Sequence, residues 1–253
     1  MALLAGLVLA LAQAAQADAT NATPQEPAGR ALRIYQETKT AYHAHPAESG
    51  AIWHFARACF DWAEFASNNT QRAALAEEGI AASRALIAQK SNAVAGPYYL
   101  GMNLGQLART KTLGALPIVD DMEVEFKAAR TLDEQFDFAG PDRNLGLLYL
   151  EAPVIASIGS RSKARQHLKR ALELAPEYPE NRLNWIEACL KYGETTTARK
   201  ELAALDAAWE LAHQQFAGDA WTAAWADWTA RRQKCHQRLD AEAHTATSPR
   251  GFP

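Results

Sequence analysis

Ala164-Arg165-Gln166-His167-Leu168-Lys169-Arg170-Ala171-Leu172-Glu173-Leu174-Ala175-Pro176 is the stretch whose reading decides the fold. Its spacing, Ala164-x3-Leu168-x2-Ala171-x4-Pro176, puts two small residues and one large one on a single helical face. The alanines let a second helix approach, Leu168 fills the space between, and Pro176 ends the run. The pattern returns as Ala198-x3-Leu202-x2-Leu205, displaced by 34 residues. One such match has little weight, but a second at a fixed period marks stacked helix pairs. Working outward, Leu145-Gly146-x2-Tyr149 offers a glycine for close helix contact and a ring to fill the gap beyond it. Leu100-Gly101-x2-Leu104 is a weaker copy. Further helix endings stand at Arg84-Ala85-Leu86 and Ala129-Arg130-Thr131-Leu132. Ala85, Ala129 and Ala171 are 44 and 42 residues apart, so those repeats carry insertions or longer helices.

These elements resemble the two helices of the tetratricopeptide repeat, whose period is about 34 residues. The expectation is an all-α array of about four helix pairs plus a C-terminal capping helix. A lead-in helix is expected over 30–43, then pairs at 51–67 with 71–90, 96–110 with 118–132, 141–151 with 161–175, and 179–192 with 195–216. Gly96-Pro97, Gly140-Pro141 and the Pro176 to Pro179 segment punctuate the joints, and Ser160 and Thr195 suit N-caps. A last helix at 219–242 carries Trp221, Trp225 and Trp228 on one face, and covering the open end of the stack is the role expected of it.

Composition agrees. The chain has 253 residues, 48% of them hydrophobic, enough to bury a continuous core, and no run alternates as a strand would. Net charge is −3 with both signs mixed and no basic stripe, which argues against nucleic acid as a partner.

Met1 to Ala12 is almost wholly apolar, with Ala15 and Ala17 placed for signal cleavage, although no basic residue precedes it. At under about 20 residues it is too short to span a bilayer. Residues 1–17 therefore read as a signal peptide, 18–29 as a flexible leader, 30–242 as one helical domain and 243–253 as a disordered tail. No cysteine follows the cleavage point, so a periplasmic protein without a lipid anchor is expected. Cys59, Cys189 and Cys235 lie in helical patterns without a Cys-x-x-Cys and read as buried free thiols.

No metalloprotease, nucleophile-elbow or phosphate-loop motif occurs, so neither an enzyme nor a cofactor is expected. His43 and His45 face apart on a helix and lack a third ligand, so no metal is expected. Asp120 and Asp121 read as solvated residues near a helix start.

In such arrays the first helices line a concave wall through their second, fifth, ninth and twelfth positions. That count places Tyr98 and Met102, Arg143 and Leu147, and Leu183 and Glu187 at fifth and ninth positions; Asn103 adjoins Met102. A groove lined by Tyr98, Met102, Asn103, Arg143, Leu147 and Glu187 is thus expected to bind a ligand. Two readings stand for the charged members: an Arg143–Glu187 ion pair between neighbouring helices, or Arg143 as the anchor for a ligand carboxylate.

Four segments carry a more particular resemblance: Glu78–Ala85, Tyr98–Gly105, Gly140–Tyr149 with Ala152-Pro153, and Pro179–Asn181. With Ser157-Ile158-Gly159-Ser160, they resemble the T-component of tripartite ATP-independent periplasmic (TRAP) transporters over about residues 50–205. That last stretch accounts for six extra residues between the third pair's helices. The resemblance implies a periplasmic helical protein that assists a solute-binding subunit in delivering an organic acid or hydrophobic ligand. It also implies assembly as a homo-oligomer around a pore or cleft. The alternative from the repeat alone is a scaffold for protein–protein interaction in the cell envelope.

Overall fold

A computed structural model describes residues 26–111 and 114–247. The signal segment 1–17, residues 18–25 of the leader and residues 248–253 of the tail lie outside them. Among the described residues the chain is all helical: α1 Glu26–Ala44, α2 Ser49–Ala63, α3 Asn69–Gln89, α4 Ala95–Arg109, α5 Ala115–Leu132, α6 Phe136–Glu151, α7 Arg161–Leu174, α8 Pro179–Lys191, α9 Thr195–Gln215 and α10 Thr222–Thr247. α1 thus takes in the last residues assigned to the leader, and α10 runs into the segment assigned to the tail.

The helices pair as α2 with α3, α4 with α5, α6 with α7 and α8 with α9. Each pair packs on the next, α1 covers α2, and α10 lies across α8 and α9. The result is a tetratricopeptide-like array.

Local chemistry sets the joints. Asn68 caps α3 by accepting from Gln71 N–H at 2.9 Å. Ser160 caps α7, and Pro179 opens α8, where its missing N–H costs nothing. Thr195 is not the cap expected of it; it is the first residue of α9, and its hydroxyl bonds the Glu242 carboxylate at 2.8 Å.

Close approach depends on glycine at Gly146 and Gly159, among other positions. A Cβ on Gly146 would fall 2.6 Å from Leu168 Cγ, so α6 and α7 meet there at the motif residues themselves. One on Gly159 would fall 2.1 Å from the Ala152 carbonyl, which the loop between α6 and α7 folds against. Ser160 N–H closes this loop onto the Tyr149 carbonyl at 2.9 Å, leaving Val154 and Ile155 exposed at its tip.

The core has two lobes. Ile52, Cys59, Tyr99, Leu104, Phe126 and Leu145 belong to the first. Leu147, Leu168, Ile186, Leu202, Trp209 and Trp228 belong to the second. α6 feeds both and is the wall they share. Trp228, Cys235 and Leu239 of α10 are all buried against the second lobe, so the tryptophan stripe covers the end of the stack. All three cysteines are buried and unpaired, and burial pushes the Cys189 and Cys235 thiols up to about 12.

Candidate functional site

The start of α6 carries the structure's most unusual backbone. Asp137, Phe138 and Ala139 have φ of 51°, 54° and 60°, one turn of left-handed helix before Gly140-Pro141 begins the right-handed one. Each such residue without a glycine's freedom costs roughly 1–2 kcal/mol. Buried side chains offset this. Arg143 Nη1 donates to the carbonyls of Asp137 (3.1 Å) and Phe138 (3.0 Å), and Asn181 Nδ2 donates to that of Phe138 at 3.0 Å. The Phe138 ring stacks on Tyr178 with centroids 4.5 Å apart.

The turn delivers the Asp137 carboxylate to Arg143 Nη2 at 2.8 Å and to the Tyr98 hydroxyl, which donates to it. Asn144 Nδ2 donates to the same hydroxyl at 3.2 Å. Burial, and then the Asp137 charge, lift the Tyr98 phenol well above its ordinary range. Burial alone would penalise the Arg143 charge, but Tyr98, Asp137 and Glu180 around it reverse the balance and hold the guanidinium protonated. This knot ties α4, α6 and α8 together.

Beside it, α2 presents Arg57 and Asp61 as an i,i+4 pair at 3.5 Å, about half exposed. Asp61 is nonetheless pushed up to about 6, by burial first, with Arg57 opposing and Asp137 adding to the rise. Asp61 is thus crowded by protein yet reached by water. Burial opposes the Arg57 charge, while Tyr99, Asp61 and Asp137 favour it, and α2 packs directly against α4. At the far end, Arg231 of α10 grips Glu187 through Nε (2.9 Å) and Nη2 (2.8 Å) and Asp227 through Nη1 at 3.2 Å. Burial first, then Glu180 and Glu187, raise the Asp227 pKa against the pull of Arg231.

The six residues expected in the groove are therefore divided. Tyr98 and Arg143 meet in the knot, buried beneath the wall. Asn103 is a strut in the first lobe; its Nδ2 donates to the carbonyls of Ala56 (3.0 Å) and Tyr99 (2.8 Å). Leu147 is buried in the second lobe, and Met102 is half-buried. The expected Arg143–Glu187 ion pair does not form. Arg143 pairs with Asp137, six residues away on its own helix, and Glu187 is taken by Arg231 of the capping helix. The left-handed turn supplies the first partner and the docking of α10 the second, and the repeat pattern encodes neither.

Arg57, Asp61, Asp137 and Arg231 were missed as wall residues. A signal existed for two of them, since Arg57 and Asp61 are the acid and base of an otherwise largely apolar helix. Among the described residues no three or more His, Cys, Asp or Glu side chains are placed to hold a metal ion. No helix among them is long and apolar enough to cross a membrane.

Comparison with known proteins agrees with this architecture. The tetratricopeptide repeat model matches residues 159–208, which hold the quoted 34-residue period but less than half of the chain. A thermophilic TPR protein of Thermus thermophilus superposes with a TM-score of 0.57 at 20% identity. The match covers 84% of this chain and 98% of that one. At that identity the likeness is one of fold. No curated protein sequence matches the chain.

Proposed function

We propose that this chain is a non-enzymatic scaffold whose inner wall holds a segment of a partner protein. The observation that carries the reading is the wall itself, with half-exposed Arg57 and Asp61, and a less exposed Asp137, set on a base fixed by buried hydrogen bonds. Charges on a rigid concave face give specificity to a docked segment at little ordering cost. Half-buried Met102 adds apolar contact, and Arg143, buried below, positions Asp137 rather than touching the guest. Photo-crosslinking tests it. A crosslinker at position 57 or 102 is expected to capture a partner that one at position 84 or 200, on second helices, does not. Equal capture at all four positions contradicts a groove.

A second reading makes the same wall that of an exported, periplasmic accessory to a TRAP solute-binding subunit. What favours it is the tight loop at 152–160, formed where the resembling segment places the six extra residues. In this reading the guest is an organic acid or hydrophobic molecule, and homo-oligomers close the cleft. Native mass spectrometry of the mature chain separates the two, since a retained small molecule favours the second. A neighbouring gene for a TRAP solute-binding or membrane subunit favours it as well.

A further inference from the structure

Away from the inner wall, on the side formed by the second helices, α5, α6 and α7 enclose a pocket of about 300 Å³. Arg130 of α5, Asp142 of α6 and His167, Lys169, Arg170 and Glu173 of α7 line it. Asp142 has no exposed side-chain surface, and both its oxygens are occupied. Oδ2 accepts from Arg130 Nε at 2.9 Å, and Oδ1 meets His167 Nδ1 at 2.6 Å. An ionised carboxylate only accepts, so Nδ1 carries the proton. The imidazole is held a second time by stacking on Tyr149, with centroids 5.4 Å apart.

The buried carboxylate thus fixes two donor-bearing groups while hiding its own charge behind them. Among the described residues, the Arg130 Nη groups and His167 Nε2 have no hydrogen-bonding partner. Arg170 gives Nη2 to Glu134 at 2.8 Å, and its Nη1 stands 3.8 Å from Glu173, too far for a hydrogen bond. Glu173 is largely exposed. What meets a ligand is therefore the open Arg130 fork and Arg170 Nη1, with Lys169 lining the pocket beside them, donors that suit the oxygens of a phosphate.

We propose that this pocket binds a phosphate group, either as the free ion or as a small monoester. Arg130 donates through its Nη groups and Arg170 through Nη1, Lys169 adds charge, and Asp142 is the positioning residue that keeps Arg130 and His167 in place. The site uses none of the inner-wall residues and does not depend on how the wall is read.

Amide NMR titrations of the full chain with inorganic phosphate and with glycerol phosphate, at ionic strength held constant with sodium chloride, test it. Saturable shifts at residues 130 and 166–170 are expected, with a Kd on the order of millimolar and no change at residues 57 and 61. Arg170→Gln, which leaves Asp142's partners intact, is expected to weaken binding roughly tenfold at an unchanged melting temperature. Arg130→Lys keeps a cation beside Asp142 but loses the fork and is expected to do the same. Stronger binding of the monoester identifies a substituted phosphate as the ligand, and stronger binding of phosphate identifies the free ion. Shifts that chloride alone reproduces, or an Arg170→Gln protein that binds as tightly as the parent, overturn the proposal.

Discussion

Arg143 pairs with Asp137 of its own helix and not with Glu187. It is 5% exposed, and its guanidinium meets two backbone carbonyls, the Asp137 carboxylate and the Asn181 amide oxygen. Removing it takes from the left-handed turn two of the hydrogen bonds that hold it and from the Asp137 carboxylate its cation. Arg143→Ala is expected to cost about 3–5 kcal/mol in urea denaturation. A loss under about 1 kcal/mol would return Arg143 to the role of an exposed ligand anchor. Asp61 behaves differently. Its folded pKa lies near 6, above the ordinary carboxylate value of 3.8, so folding favours the protonated form. That contribution is complete below about pH 4 and is lost as pH rises through about 6. Asp61→Asn is therefore expected to raise the melting temperature relative to the parent at pH 7.5 and to leave it unchanged at pH 3.5. Screening at a half-exposed site limits the gain to under about 1 kcal/mol, or roughly 2–4 °C. A gain of equal size at both pH values removes Asp61 ionisation as the cause.

At the scale of elements, the motif residues act as contacts between helices. Leu145 and Leu148 face the first lobe and Leu147 the second, while Gly146 admits Leu168 of the quoted stretch. The Gly146→Ala methyl would meet the Leu168 side chain at 2.6 Å and its backbone nitrogen at 3.0 Å. Backbone cannot rotate away as a side-chain tip can, so overpacking of about 1–3 kcal/mol is expected in chemical denaturation. An unchanged midpoint would mean that α6 and α7 slide freely. This contact was legible because both halves of it lie in local patterns, Leu-Gly-x2-Tyr and Ala-x3-Leu-x2-Ala. The left-handed turn at 137–139 was not. Its sequence, Asp-Phe-Ala, has no glycine to announce a positive φ, and the groups that hold it come from α6 and α8.

For the whole molecule, the array behaves as a row of pairs, each stabilised by its neighbours. α10 closes one end by burying Trp228, Cys235 and Leu239 and by pairing Arg231 with Glu187. Ending the chain after Gly218 uncovers Trp209, Phe216 and Tyr178 of the second lobe, which Trp225 and Trp228 cover. Hydrogen exchange is then expected to quicken across α8 and α9 while α2 to α5 keep their protection. Uniform loss of protection would show one cooperative unit instead of a row. The capping role was readable from a tryptophan stripe that had to be covered. The residue that latches it, Arg231, was not, because its partners Glu187 and Asn184 lie 44 and 47 positions away.

What the sequence alone determined is what depends on neighbours along the chain: helices, their joints, the 34-residue period and the all-α array that follows from them. Periodicity, small residues and proline act within a turn or two, so they are visible in one dimension. Tertiary structure alone decided which polar groups meet. It placed Arg143 under Asp137, gave Glu187 to the capping helix and set Arg57 and Asp61 on the inner wall. Charges choose partners by distance and desolvation, and both are properties of packing between helices.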